Sequence, residues 1–148
     1  MSVVLDTNVV LAGLRSSKGA SFQLLRLIEV DRIDFLLSVP LVLEYEAVLK
    51  RPENLAATRL TLEEVEQVLN ALCLVGIENK IHYLWRPRLS DPKDDMVLEL
   101  AVNGQAEAVN GQAEAIVTFN TADFKQAVDQ FDIKLLKPGE YLYQLRRK

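Results

Sequence analysis

Val3-Val4-Leu5-Asp6-Thr7-Asn8, almost at the start of the chain, decides how the rest is read. Three consecutive apolar residues, two of them β-branched, suit a short strand covered on both faces, as strands of parallel sheets are. A carboxylate and two more polar groups follow with no spacer. Extended backbone sends alternate side chains to one side, so Asp6 and Asn8 share a side if the chain stays extended. Helical stretches are expected from Asn8 to Arg15 and from Ser21 to Val30, parted by Ser16-Ser17-Lys18-Gly19.

The alternation of strand and helix continues downstream. Asp34 to Val39 reads as a strand, and Pro40 opens a helix through Lys50, since proline is at home in a first helical turn. Thr61 and Glu64 have capping-box spacing. They precede an apolar stripe of Leu62, Val65, Val68, Leu69 and Leu72 that should stop near Gly76. Lys80 to Leu84 is a weaker strand, and a further helix starts at Asp91. Ala115 to Thr118 reads as a strand, Thr121 to Asp129 as a helix, Ile133 to Leu136 as a strand and Pro138 to Leu145 as a helix. This order predicts an α/β fold: a three-layer α/β/α sandwich around a central, mostly parallel sheet, in one domain spanning residues 1–148.

Composition narrows the function classes. The chain has 148 residues, enough for one domain with its own core. No apolar run approaches the roughly 20 residues of a membrane span, and the N-terminus lacks a basic segment of the secretory kind. A cytoplasmic setting without membrane association is therefore expected. The lone Cys73 and lone His82 exclude a disulfide framework and Cys- or His-rich zinc centres; both, with Trp85, read as packing residues. The net charge of −4 argues against nucleic-acid binding through bulk positive charge. Any phosphate chemistry must rest on metal ions and a few local basic side chains.

Ligands of open α/β sheets bind beyond the carboxyl ends of the strands, and polar residues gather there in this sequence. Asp6 ends the first strand. Glu44 and Glu46 lie in the helix after the second. Asp91, Asp94 and Asp95 open the helix after the third, and Thr118, Asn120 and Asp123 follow the fourth. Taken singly, each has a plain structural reading. Asp91 suits an N-cap with Pro92 behind it and Asp94 in the capping-box position, and Asn120 and Asp123 repeat that spacing. Two details favour a shared site. Asp94 falls within the apolar arc of Val97, Leu98 and Ala101, where an acid needs a partner, whereas Asp95 falls beside Glu99 on the polar side. All four groups also occupy the same end of the sheet. The wheel leaves Glu44 and Glu46 undecided. Clustered carboxylates repel, hard cations such as Mg²⁺ or Mn²⁺ relieve the repulsion, and phosphodiester hydrolysis uses such ions.

Val4-Leu5-Asp6-Thr7-Asn8-Val9, Glu44-Tyr45-Glu46-Ala47-Val48-Leu49, Asp91-Pro92-Lys93-Asp94-Asp95 and Ile116-Val117-Thr118-Phe119-Asn120-Thr121-Ala122-Asp123-Phe124 resemble, in order, the four signatures of PIN domains. The similarity runs from about Val3 to the segment Lys137-Pro138-Gly139-Glu140-Tyr141, and it is strongest to a bacterial group assigned to toxins of toxin–antitoxin systems. It implies a Mg²⁺- or Mn²⁺-dependent endoribonuclease, acting on RNA, restrained by an antitoxin protein and homodimeric. The resemblance makes Asp6, Glu44 and Asp94 the catalytic acids and metal ligands, and so selects Glu44 over Glu46. Asn120, where PIN domains often carry Asp, and Asp123 complete the metal set, with Asn8 and Thr118 supporting it. Arg15, Lys18, Arg86 and Arg88 are candidates for RNA phosphate contacts, although most surface basic side chains are merely solvated.

Two other readings fit parts of the pattern. An aspartyl phosphotransferase with Asp6 as nucleophile usually carries a second Asp two residues on, where this chain has Asn8. A non-catalytic PIN-like module would bind metal or nucleic acid without cleaving. A phosphoacceptor version of it needs a late lysine, for which Lys125 and Lys137 are poorly placed.

Finally, Asn103-Gly104-Gln105-Ala106-Glu107-Ala108-Val109 is followed at once by Asn110-Gly111-Gln112-Ala113-Glu114-Ala115-Ile116, a near-perfect tandem copy. Seven residues make almost two helical turns, drifting by about 20°. The helix from Pro92 is therefore expected to run on to Asn110-Gly111. The competing outcome is a stop at Asn103 with the extra residues in a loop. In both cases the next strand begins at about Ala115.

Overall fold

The computed structural model describes residues 2–30, 33–78, 96–98, 100–101, 113–128 and 133–146. The apolar run at the start forms β1 (Ser2–Leu5), every residue of it buried, as a strand covered on both faces requires. After it come α1 (Thr7–Arg15), α2 (Ala20–Glu29), β2 (Asp34–Leu37), α3 (Val39–Leu49), α4 (Pro52–Thr58), α5 (Leu62–Val75) and β3 (Ile77–Glu78). Then follow β4 (Ala113–Val117), α6 (Thr121–Val128), β5 (Lys134–Leu136) and α7 (Pro138–Arg146). The five strands lie in the order β3-β2-β1-β4-β5, and every neighbouring pair is parallel. The sheet is thus wholly parallel among the described residues, and helices flank it as a three-layer sandwich.

The longer helices each bury one stripe in the core, notably Leu24 and Ile28 of α2, Leu41, Tyr45 and Leu49 of α3, and Val65, Leu69 and Leu72 of α5, whereas α4 has no buried residue. Residues 96–98 and 100–101 are helical. They bury Val97, Leu98, Leu100 and Ala101, so Leu100 joins the apolar arc of Val97, Leu98 and Ala101. The capping box at Thr61 and Glu64 is formed in both directions, at 3.1 and 3.0 Å. Gly76 ends α5 and lets the chain pass against β2, where a Cβ would collide with the Leu37 side chain.

Several boundaries differ from the sequence reading. β2 stops at Leu37 rather than Val39, because the Ser38 hydroxyl caps α3 by accepting the Leu41 N–H at 3.3 Å. The helix α4 was not expected. Pro52 and Glu53 start it, and Arg59, at φ 62°, ends it. The third described strand is Ile77–Glu78, while the strand expected at Lys80 to Leu84 lies outside the described residues. β4 begins at Ala113, two residues ahead of expectation, and so adds Ala113 and Glu114 of the second copy of the repeat to Ala115 and Ile116. The expected helix extension through the first copy also lies outside the described residues. Leu62, at the first position of α5, is 55% exposed and does not join the buried stripe. Cys73 is exposed rather than packed. No described helix is long and apolar enough to cross a membrane.

Candidate functional site

Strand order places a crevice in this sheet. From β1 the chain builds outward through β2 to β3, then returns to add β4 and β5 on the other side of β1. The direction reverses between β1 and β4, and in open α/β sheets the crevice beyond the carboxyl ends at such a point is where ligands bind.

Asp6 stands at that crevice. It follows β1 directly and is the N-cap of α1, with extended backbone (φ −66°, ψ 151°). Its backbone N–H continues the ladder to the Val117 carbonyl at 2.9 Å, and its own carbonyl accepts the Val9 N–H at 3.0 Å. The side chain is only 7% exposed. Oδ1 accepts the Thr7 N–H at 2.8 Å, and Oδ2 accepts the Thr118 hydroxyl at 2.6 Å. Thr118, the first residue after β4, is fully buried and gives its N–H to the Leu136 carbonyl of β5 at 3.0 Å. Its hydroxyl oxygen also accepts the Asn120 N–H at 3.0 Å. One run of hydrogen bonds thereby joins the ends of β1, β4 and β5, and two donors from separate elements compensate a buried carboxylate that would otherwise be costly.

α3 meets the crevice from the β2 side. Tyr45 is wholly buried, and its hydroxyl donates to the Leu5 carbonyl at 2.5 Å. Burial first, and the negative charge of Asp6 second, hold its phenol well above the ordinary tyrosine value. Glu44 and Glu46 flank it, each half-exposed. Glu46 is engaged elsewhere: the Lys50 ammonium lies 3.2 Å from its Oε2 and also binds Glu66 of α5. The hydrogen bond to Glu66 above all, and then Glu46, hold the Lys50 ammonium above its usual pKa.

The structure therefore joins Asp6 to Thr118 directly and to the Asn120 backbone through Thr118. The Asn120 side chain is exposed. Asn8, in the first turn of α1, has a buried Oδ1 with no hydrogen-bond partner among the described residues. Asp94, Arg86 and Arg88 lie outside the described residues. Asp123 falls in the first turn of α6, with its side chain outside them too. Arg15 and Lys18 are exposed at the end of α1 and in the loop after it. Among the described residues no three Asp, Glu, His or Cys side chains come together to hold a metal. Asp6, Asn8 and Asn120 nonetheless carry oxygens of the kind that hard divalent cations prefer. The Asn8 Oδ1, without a partner among the described residues, suits such an ion, although Asn8 lies in α1 and the chain after Asp6 is not extended. Two grooves, of about 560 Å³ between α2 and α7 and about 330 Å³ between α2 and α5, are lined by none of these residues.

Sequence reasoning missed Tyr45. The signal was present: a polar-tipped aromatic in the middle of a buried i, i+4, i+8 stripe must direct its hydroxyl to a partner.

Residues 2–122 match the PIN domain family. No curated protein and no solved structure shows a match to the chain. The family match takes in β1 with Asp6, α3 with Glu44, the segment of Asp94, and Thr118 with Asn120 after β4. PIN domains are typically nucleases, and the family in general uses divalent metal ions. Most of the chain lies inside the match, with its buried aspartate at the crevice of the sheet, and the chain belongs to the PIN domain family.

Proposed function

We propose that this protein is a Mg²⁺- or Mn²⁺-dependent endoribonuclease, the toxin of a toxin–antitoxin pair, working as a homodimer and restrained by an antitoxin protein. The observation that carries this reading is the fixed direction of the Asp6 carboxylate, bonded to the Thr7 N–H and the Thr118 hydroxyl at the crevice between β1 and β4. Outer hydrogen bonds of this sort orient a metal ligand before an ion arrives. Asp6, Glu44 and Asp94 are the residues assigned to hold the ion, with Asn120 and Asp123 adding oxygens. A bound divalent ion would supply an activated water and neutralise charge on the attacked phosphate and the leaving oxygen.

The remaining roles fall to side chains around that set. Thr118 keeps Asp6 aimed, and Asn8 is assigned a supporting role. Arg15, Lys18, Arg86 and Arg88 provide the local positive charge that the acidic chain as a whole does not. RNA cleavage with and without Mn²⁺, by wild type and Asp6→Asn, is the decisive experiment. The variant should lose at least about a hundredfold in rate, since charge and geometry go together at such sites. Equal rates would refute the site, and metal-dependent RNA binding without cleavage would favour the non-catalytic module.

A further inference from the structure

The Leu41-Tyr45-Leu49 stripe of α3 would pack well enough with three leucines. A tyrosine there brings a hydroxyl into a fully covered position, and a buried polar group without a partner is destabilising. Its partner is specific. Successive residues of a strand direct their backbone groups to opposite neighbours, and the Asp6 N–H goes to β4. The Leu5 carbonyl therefore turns toward β2, which leaves the sheet at Leu37 to enter α3. Tyr45 meets that carbonyl at 2.5 Å, across 40 residues of chain. The bond ties the residue before Asp6 to the residue after Glu44.

Resting on the nuclease reading above, we propose that the Tyr45 hydroxyl is the positioning group that sets Glu44 against Asp6. It touches neither ion nor RNA. It fixes α3 to the end of β1, so the second acid is held at a defined separation from the first. Partners one step removed from a metal typically change its affinity by about 10–100-fold when removed, and a misplacement of about 1 Å has cost enzymes up to a hundredfold in rate.

Tyr45→Phe keeps the ring and removes only the hydroxyl. Mn²⁺ affinity, measured by calorimetry on the folded protein, should fall by at least about tenfold, and RNA cleavage with it. In a Glu44→Gln background the same change should cost little, because the group acts through Glu44. A variant that melts earlier yet binds Mn²⁺ and cuts RNA as wild type does would reduce Tyr45 to a packing residue and leave the nuclease reading intact. A wild type that binds no Mn²⁺ would overturn both. If Tyr45→Phe does not fold, 3-fluorotyrosine at position 45 keeps the bond with a stronger donor. Mn²⁺ affinity matching wild type in that protein would support the proposal, and a loss of at least about tenfold despite the retained bond would overturn it.

Discussion

The Thr118 hydroxyl lies 2.6 Å from Asp6 Oδ2 and bridges 112 residues of chain. It connects the residue after β4 to the residue after β1, across the point where the sheet changes direction. Thr118→Val preserves the shape and deletes the donor. Removing a hydrogen bond to a buried carboxylate should cost about 1.5–3 kcal/mol in urea unfolding. It should also weaken Mn²⁺ binding by about tenfold or more. Thr118→Ser retains the hydroxyl and should recover most of both. If Val binds Mn²⁺ as well as Thr does, the bond serves the fold alone.

The two glutamates beside Tyr45 should separate cleanly. Glu46 is committed to Lys50 in a half-exposed i, i+4 pair, and exposed pairs of this kind contribute little to stability. Glu46→Gln should leave cleavage near the wild-type rate. Glu44→Gln should lower it by at least about tenfold. Comparable losses in the two variants would contradict the assignment of Glu44.

Binding to the folded state alone must raise thermal stability. An ion at a hundred times its dissociation constant adds about 2.7 kcal/mol. Millimolar Mg²⁺ or Mn²⁺ should therefore raise Tm, and the rise should shrink in Asp94→Asn. A Tm indifferent to metal would return these acids to ordinary capping roles.

Tyr45 also predicts a pH dependence. Its folded-state pKa is raised, by burial and then by Asp6, so the neutral phenol is favoured in the native state. The stability this contributes is complete below the unfolded tyrosine value of about 10 and is lost as pH rises toward the folded one. Each such group steepens the alkaline loss by up to about 1.4 kcal/mol per pH unit. Urea midpoints for wild type should fall more steeply above pH 10 than those of Tyr45→Phe. Parallel slopes would show that the phenol ionises in the folded chain as easily as in the unfolded one.

Much of this was legible in the chain itself. The unbroken run Val3-Val4-Leu5 suits a strand covered on both faces, as in a parallel sheet, and the acid directly after it stands at the sheet's carboxyl edge. Helix ends agreed to within a residue or two, since Thr61, Glu64 and Gly76 carry their own stop and start chemistry. That Tyr45 needs a partner was legible, but which partner was not, because it is a backbone carbonyl 40 residues away, which no local spacing encodes. The Glu46–Lys50–Glu66 cluster was hidden for the same reason, being a contact between α3 and α5. β4 reached back to Ala113 against its weak strand propensity, because Ser2 of β1 offers a partner there. Tertiary pairing outweighs local preference in such a place.

That last pairing makes the tandem repeat testable. β4 takes Ala113, Ala115 and Ile116 from the second copy, opposite Ser2, Val3 and Val4. The first copy carries Ala106, Ala108 and Val109 at the equivalent positions. Deleting residues 103–109 leaves the second copy, and with it β4, in its present form. Deleting residues 110–116 instead moves the first copy up against Val117. The two shortened chains then differ at a single position, Ile in one and Val in the other, next to Val117. Asp6, Glu44, Asp94 and Thr118 lie outside the repeat, so both should bind Mn²⁺ as the full chain does. They should not be equally stable. Ile116 is completely buried, and an Ile→Val change in a core costs about 0.5–1.5 kcal/mol, so the second deletion should unfold at lower urea by that margin. Equal stability would mean that the shortened strand no longer places that side chain in the core. Loss of Mn²⁺ binding in both would show that the length of the repeat, rather than its sequence, holds the segment of Asp94 in place.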